Sequence, residues 1–86
     1  MTDSYDLVVK KSAERELRVL PKQDLRRVTQ RLQTLSHNPR PPGCEKLSGQ
    51  DQYRIRQGDY RIVYAIDDTA RMVILVKIGH RREVYR

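Results

Sequence analysis

The sequence predicts an α+β domain in which an N-terminal strand and a helical hairpin pack on one face of a small antiparallel sheet. Three observations predict it. Apolar residues recur at steps of three and four through the first half of the chain, the period of a helix. From residue 47 onward the period changes to two, the period of a strand. A Gly58-Asp59 turn signal then joins two runs that alternate in phase, as a hairpin requires. Helices gathered ahead of an antiparallel meander cover one sheet face and leave the other open.

The elements follow in order. Tyr5-Asp6-Leu7-Val8-Val9 is β-rich and alternates loosely, which predicts a first strand. Ser12 is a favourable N-cap, and Glu14 suits the positive end of a helix dipole. Ala13, Leu17 and Leu20 then form a helical stripe. Pro21 either punctuates that run or opens the next helix. Leu25, Val28, Leu32 and Leu35 make a second amphipathic helix whose other face carries Arg26, Arg27, Gln30 and Arg31. Asn38-Pro39-Arg40-Pro41-Pro42-Gly43 stops it. Two strands flank Gln57-Gly58-Asp59, and Asp67-Asp68-Thr69-Ala70 makes a second turn. Met72 to Ile78 is apolar on both faces and therefore central; Gly79 is expected to break it, and Val84-Tyr85 to add a short last strand. No repeat or low-complexity segment divides the chain, so residues 1–86 are read as one domain.

Composition narrows the partners. The chain has no Phe and no Trp, so Tyr, Leu, Ile and Val must build the core. It carries 18 Lys and Arg against 11 Asp and Glu, a net charge of +7. Nucleic acid is the first partner class for such a balance, ahead of an acidic protein or an anionic membrane. The charge is divided almost evenly between the two halves, +4 over residues 1–43 and +3 over residues 44–86, so only folding can gather a basic patch. Cys44 is the single cysteine, which suits a reducing compartment, and no intramolecular disulfide is possible. His37 and His80 have no companions at metal-ligand spacing, so neither metal nor cofactor is expected. There is no membrane-spanning run and no apolar leader core, and a cytoplasmic location is the expectation.

Candidate site residues emerge from the hairpin. Tyr53, Ile55, Tyr60, Ile62 and Tyr64 share one face of the two strands; Arg54, Arg56 and Arg61 share the other. A two-residue turn sets Gln57 opposite Tyr60 and Arg56 opposite Arg61. Like charges facing each other across strands weaken a sheet. A solvated basic face shows the same alternation, but a kept pair of this kind on a basic protein argues for an anion to hold. Guanidinium groups stay protonated and bind phosphate through paired hydrogen bonds. The terminus Gly79-His80-Arg81-Arg82-Glu83-Val84-Tyr85-Arg86 adds Arg81 as a phosphate donor and Tyr85 as a base-stacking ring, or else as a core residue beside a basic tail. Glu45 alone reads as a solvated loop charge. His80 reads as a surface residue that has the right range to carry a proton.

The motif Lys46-Leu47-Ser48-Gly49, Tyr53-Arg54-Ile55-Arg56, Gly58-Asp59-Tyr60-Arg61-Ile62-Val63-Tyr64, Val76-Lys77-Ile78-Gly79-His80-Arg81 and Val84-Tyr85 resembles the RelE/ParE superfamily of bacterial toxins, and within it the RelE branch. The resemblance spans essentially the whole chain. It implies a RelE-like fold, ribosome-dependent cleavage of mRNA without metal or cofactor, and a cognate antitoxin protein as partner. It also implies roles: Arg54 and Arg56 match two family lysines, Arg61 the hairpin arginine, Arg81 the arginine after the glycine, and Tyr85 the terminal tyrosine. Glu45 matches a loop glutamate that serves as base in the related YoeB branch, and His80 and Arg56 are the other candidates for proton transfer. The chain departs from the family in having arginines for both lysines and in ending just after Tyr85. Two other functions fit the same resemblance or charge: a ParE-like poison of DNA gyrase, and a basic RNA-binding module without catalysis.

Overall fold

A computed structural model describes residues 4–47 and 51–80. The chain forms β1 (Asp6–Val9), α1 (Lys11–Arg18), α2 (Lys22–His37), β2 (Glu45–Lys46), β3 (Gln52–Gln57), β4 (Tyr60–Asp67) and β5 (Met72–His80). The five strands make one sheet in the order β1-β5-β4-β3-β2. The meander β2 to β5 is antiparallel, but β1 joins β5 in parallel, so the sheet is mixed where the sequence predicts an antiparallel one. Alternation assigns faces; it carries no information on strand direction.

Helix α1 begins before its expected cap. Lys10, extended at φ −67° and ψ 150°, stands at the N-cap without a side-chain bond, and Ser12 lies inside the helix. The Lys10 N–H donates to the Leu75 carbonyl (3.1 Å) and the Glu14 N–H to the Lys10 carbonyl (2.9 Å), so the helix starts where β1 leaves the sheet. Pro21 is the N-cap of α2 and its carbonyl accepts the first helical bond from the Leu25 N–H at 2.8 Å. Among the described residues, no helix is long and apolar enough to cross a membrane.

The core forms between the helices and one sheet face. Ala13 of α1 and Val28, Leu32 and Leu35 of α2 are buried against Ile55, Ile62, Tyr64, Ile66, Val73, Leu75 and Ile78. Leu17, Leu20, Tyr53 and Tyr60 pack around this cluster. Tyr64 is the largest fully buried side chain and does the work of the missing Phe and Trp. It stacks on Tyr53 at 5.9 Å between centroids. Its hydroxyl donates to the Pro39 carbonyl at 2.6 Å, tying the sheet to the Pro-rich segment after α2. Burial, and next the Cys44 thiol beside it, push the Tyr64 hydroxyl above its ordinary pKa, so it remains a donor.

Strand β5 changes phase once. Ile62 faces Ile78 and Val63 faces Lys77, but Tyr64 faces Leu75, so Val76 is an extra residue at a β-bulge. The slip lets Val73, Leu75 and Ile78 all reach the core despite their uneven spacing, and leaves Lys77 exposed. Gly79 does not break the strand, which runs to His80. Beyond the end of β1, the Ile78 N–H donates to Glu16 Oε1 of α1 at 2.9 Å, a carboxylate taking the place of the absent strand neighbour. The Val84-Tyr85 strand lies outside the described residues.

Tyr64→Phe keeps the ring and orphans the Pro39 carbonyl. Equilibrium urea unfolding should show a loss of about 1–3 kcal/mol with an unchanged slope; an unaltered midpoint would mean that the bond contributes nothing.

Candidate functional site: an arginine-lined cleft

The hairpin forms in the predicted register. Arg56 faces Arg61 and Gln57 faces Tyr60 across β3 and β4, with Gly58 at φ +61° in the turn. Because Ile55, Ile62 and Tyr64 point into the helix-side core, Arg54, Arg56 and Arg61 point to the other face. Next along the sheet, Arg61 faces Gly79 of β5, and Val63 faces Lys77. Lys77 therefore joins the arginine face. Sequence patterning does not reveal it, because the bulge in β5 breaks the alternation.

On the opposite side of β3, Gly43 at φ +94° turns the chain back so that β2 runs along β3. Glu45 pairs with Arg54 in that ladder, and Arg54 Nη2 donates to Glu45 Oε1 at 3.2 Å. Gly43, Glu45, Arg54, Arg56 and Arg61 together line a cleft of about 270 Å³. The three guanidiniums are not equivalent. Arg56 is exposed and Arg54 is half-buried, whereas Arg61 retains only 4% of its surface, a departure from the uniformly open face expected from sequence. A guanidinium that stays charged and is shielded from water exerts a stronger field on an anion than an exposed one. Arg61 is thus the deep, fixed cation of the cleft and Arg56 the accessible one.

The other predicted residues separate. His80 is one position past Gly79 and so lies on the helix-side face, opposite Tyr60, with the two rings edge-on at 6.0 Å and 77°. It borders a groove with Glu16, Val19, Leu20, Tyr60 and Ile78, and the structure does not bring it to the arginine cleft. The period of two that put Arg56 and Arg61 together excludes it. Arg81 and Tyr85 lie outside the described residues. Among the described residues, no group of three His, Cys, Asp or Glu side chains is placed to hold a metal ion.

Sequence reasoning also missed an ion-paired cluster at the far end of the sheet. Arg40 Nη2 lies 2.9 Å from Asp68 Oδ2, its Nε donates to the Tyr53 hydroxyl at 3.1 Å, and the Tyr5 hydroxyl donates to Asp68 Oδ1 at 2.8 Å. The Arg40 bonds, and then the Tyr5 bond, hold the Asp68 carboxyl below its ordinary pKa. The cluster fastens the segment after α2 to the β4–β5 turn. Nothing in the spacing of residues 5, 40, 53 and 68 announces it.

The family described as the ParE toxin of type II toxin-antitoxin systems, parDE, matches residues 7–85 of this chain. Toxin RelG of Mycobacterium tuberculosis is 33% identical over 79 residues, which is 87% of this chain and 88% of that one. The toxin-antitoxin complex RelBE2 of the same organism superposes with a TM-score of 0.81 at 28% identity, over 91% of this chain and 99% of the matched one. The isolated RelE toxin of E. coli also gives 0.81, at 30% identity, over 95% and 92%.

Asp68 binds fewer protons when folded than when unfolded, so its stabilising contribution is complete above the ordinary carboxyl range. That contribution is lost as pH falls through the lowered folded value. Thermal denaturation across acidic pH should show this dependence weakened in Asp68→Asn; an identical profile would remove the Arg40 pairing from the stability of the fold.

Proposed function

Since this chain belongs to the RelE/ParE superfamily of type II toxin-antitoxin toxins, we propose that it cleaves mRNA on the ribosome as a RelE-type, metal-independent endoribonuclease. The observation that carries this reading is the register of Arg56 against Arg61 over a cleft that also holds Arg54 and Glu45. Three cations and one carboxylate are a sufficient set for phosphoryl transfer within RNA. The ribose 2′-oxygen forms a bond to its own 3′-phosphorus, the bond from phosphorus to the next 5′-oxygen breaks, and the products are a 2′,3′-cyclic phosphate and a 5′-OH.

Arg61 and Arg81 hold the scissile phosphate as negative charge grows on it, and Arg54 and Arg56 bind flanking phosphates and steady the attacking oxyanion. Glu45 takes the 2′-OH proton. In the free protein it accepts from Arg54; an entering phosphate competes for that guanidinium and leaves the carboxylate available. Arginine is a poor base, which argues against Arg56 in that role. The leaving 5′-oxygen takes its proton from water, and Arg81 stays charged as a phosphate donor. Tyr85 stacks on a base. His80, on the other face of the sheet, transfers no proton in this scheme. The partner that silences the toxin is a cognate antitoxin, as solved relatives include toxin-antitoxin complexes, and the setting is the cytoplasm.

A second reading has its own observation: the matching family is described as ParE. A ParE-like protein would poison DNA gyrase and leave mRNA intact. The complete arginine set and Glu45 favour the nuclease.

After induction, primer extension on mRNA should show new 5′ ends within codons. Arg56→Ala, an exposed change, and Arg61→Lys, which keeps the charge at the buried position, should each lower cleavage about a hundred- to a thousand-fold. Intact mRNA with blocked gyrase supercoiling would replace this reading by the ParE one. Glu45→Gln should lower the rate of cleavage; an unchanged rate would remove Glu45 as the base.

A further inference from the structure

The open face of the sheet carries its cations in two rows that run across the strands. In one, Arg56 of β3 faces Arg61 of β4, and Arg61 faces Gly79 of β5. In the other, Glu45 of β2 faces Arg54, Arg54 faces Val63, and Val63 faces Lys77. Residues two apart on a strand share a face and stand about 6–7 Å apart, which sets the distance between the rows. Glu45, Arg54, Arg56 and Arg61 line the cleft; Lys77 stands outside it, one strand further on.

Lys77 is exposed, and among the described residues no carboxylate pairs with its ammonium. Arg54, at the other end of the same row, is answered by Glu45. The remaining described acids of this face, Asp6 and Asp67, both face Met72 at the far end of β5. Between Arg54 and Lys77 lies Val63, which retains 7% of its surface although it is outside the helix-side core. Long basic side chains lay their aliphatic stems on such apolar surface and keep the charged head in water. The bulge at Val76 is what makes this placement. In unbroken alternation Lys77 would share a face with Leu75 and point into the helices. Lys77 also stands at a margin, because β1 pairs with β5 only as far as Leu75.

We propose that Lys77 binds the mRNA phosphate next to the scissile one and so fixes the path of the strand across the sheet. This rests on the nuclease reading above. Arg61, shielded and charged, holds the scissile phosphate where Gly79 leaves room beside it. The neighbouring phosphate then falls one row along, over Val63. There the Arg54 guanidinium is already tied to Glu45, and the Lys77 ammonium is not tied. The residue types suit the two tasks. The planar arginine fork fixes the orientation of the phosphate that reacts. The compact lysine charge on a mobile stem attracts a flanking phosphate without dictating its orientation. A nucleic-acid strand fits better than an acidic protein, because its charges repeat along one chain and the cations stand in two parallel rows continuous with the cleft.

The experiment measures cleavage kinetics on ribosomes programmed with a short mRNA, across a salt series. It also measures binding to ribosomes whose mRNA carries a 2′-deoxyribose at the attacking position and cannot be cut. Lys77→Gln should raise KM on the order of tenfold and lose about one unit of salt slope, with kcat at saturation retained. Lys77→Arg, which keeps the charge, should restore both. An mRNA with one linkage made a neutral methylphosphonate then locates the contact. Neutralising one of the two linkages beside the scissile phosphate should weaken the wild type by the same factor and cost Lys77→Gln nothing further. KM and slope unchanged in Lys77→Gln, with the wild type cleaving normally, overturns the contact and leaves the nuclease reading intact. A fall in kcat with KM unchanged also overturns it, by placing Lys77 at the reacting phosphate. Binding of the uncuttable strand that depends on Lys77, without cleavage of the ordinary mRNA, supports the contact and removes the nuclease. Undiminished mRNA binding with loss of antitoxin affinity overturns the proposal in favour of a protein partner.

Discussion

The register of the three central strands is the constraint on which everything else depends. Pairing Arg56 with Arg61 also pairs Ile55 with Ile62 and Tyr53 with Tyr64. One residue of slip would send the arginines into the helices and the tyrosines into water. The buried face therefore holds the charged face in place. Hydrophobic burial of Ile55, Ile62, Tyr64, Leu75 and Ile78 overcomes the mutual repulsion of two facing guanidiniums, which alone would push the strands apart. The bulge at Val76 completes the arrangement. It returns Ile78 to the core, turns Lys77 out, and places Gly79, with no side chain to obstruct, beside Arg61.

A core without Phe or Trp has consequences for how the edges are secured. Each helix carries few large side chains, and the hydroxyls of tyrosines outside the helices are used as fasteners. Tyr64 reaches Pro39, Tyr60 reaches Asp24, and Tyr5 reaches Asp68. Glu16 closes the ladder where β1 runs out. These long-range bonds tie both helices and the Pro-rich segment to the sheet. The arginine cleft stays free to concentrate like charge on the far side.

The fold itself does not choose between cutting RNA and blocking an enzyme, since one scaffold serves several activities. What distinguishes the nuclease reading is local chemistry. A shielded cation, an accessible cation and a carboxylate lie within one small cleft, and the carboxylate already pairs with a third cation.

Alternation and helical spacing, local properties of the chain, determined both helices, the strands β1, β3, β4 and β5, the two faces of the hairpin and the Arg56–Arg61 pair, but not the short β2. Residues within one turn or one hairpin have no freedom to be elsewhere. Only the tertiary structure decided what depends on distant segments meeting. It set β1 parallel to β5, brought Glu45 to Arg54 through the turn at Gly43, shielded Arg61 but not Arg56, and joined Arg40 to Asp68. It also put His80 on the opposite face from the cleft, although the period alone contained that answer once the end of β5 was known. Strand direction and burial come from packing between elements, and side-chain alternation is blind to both.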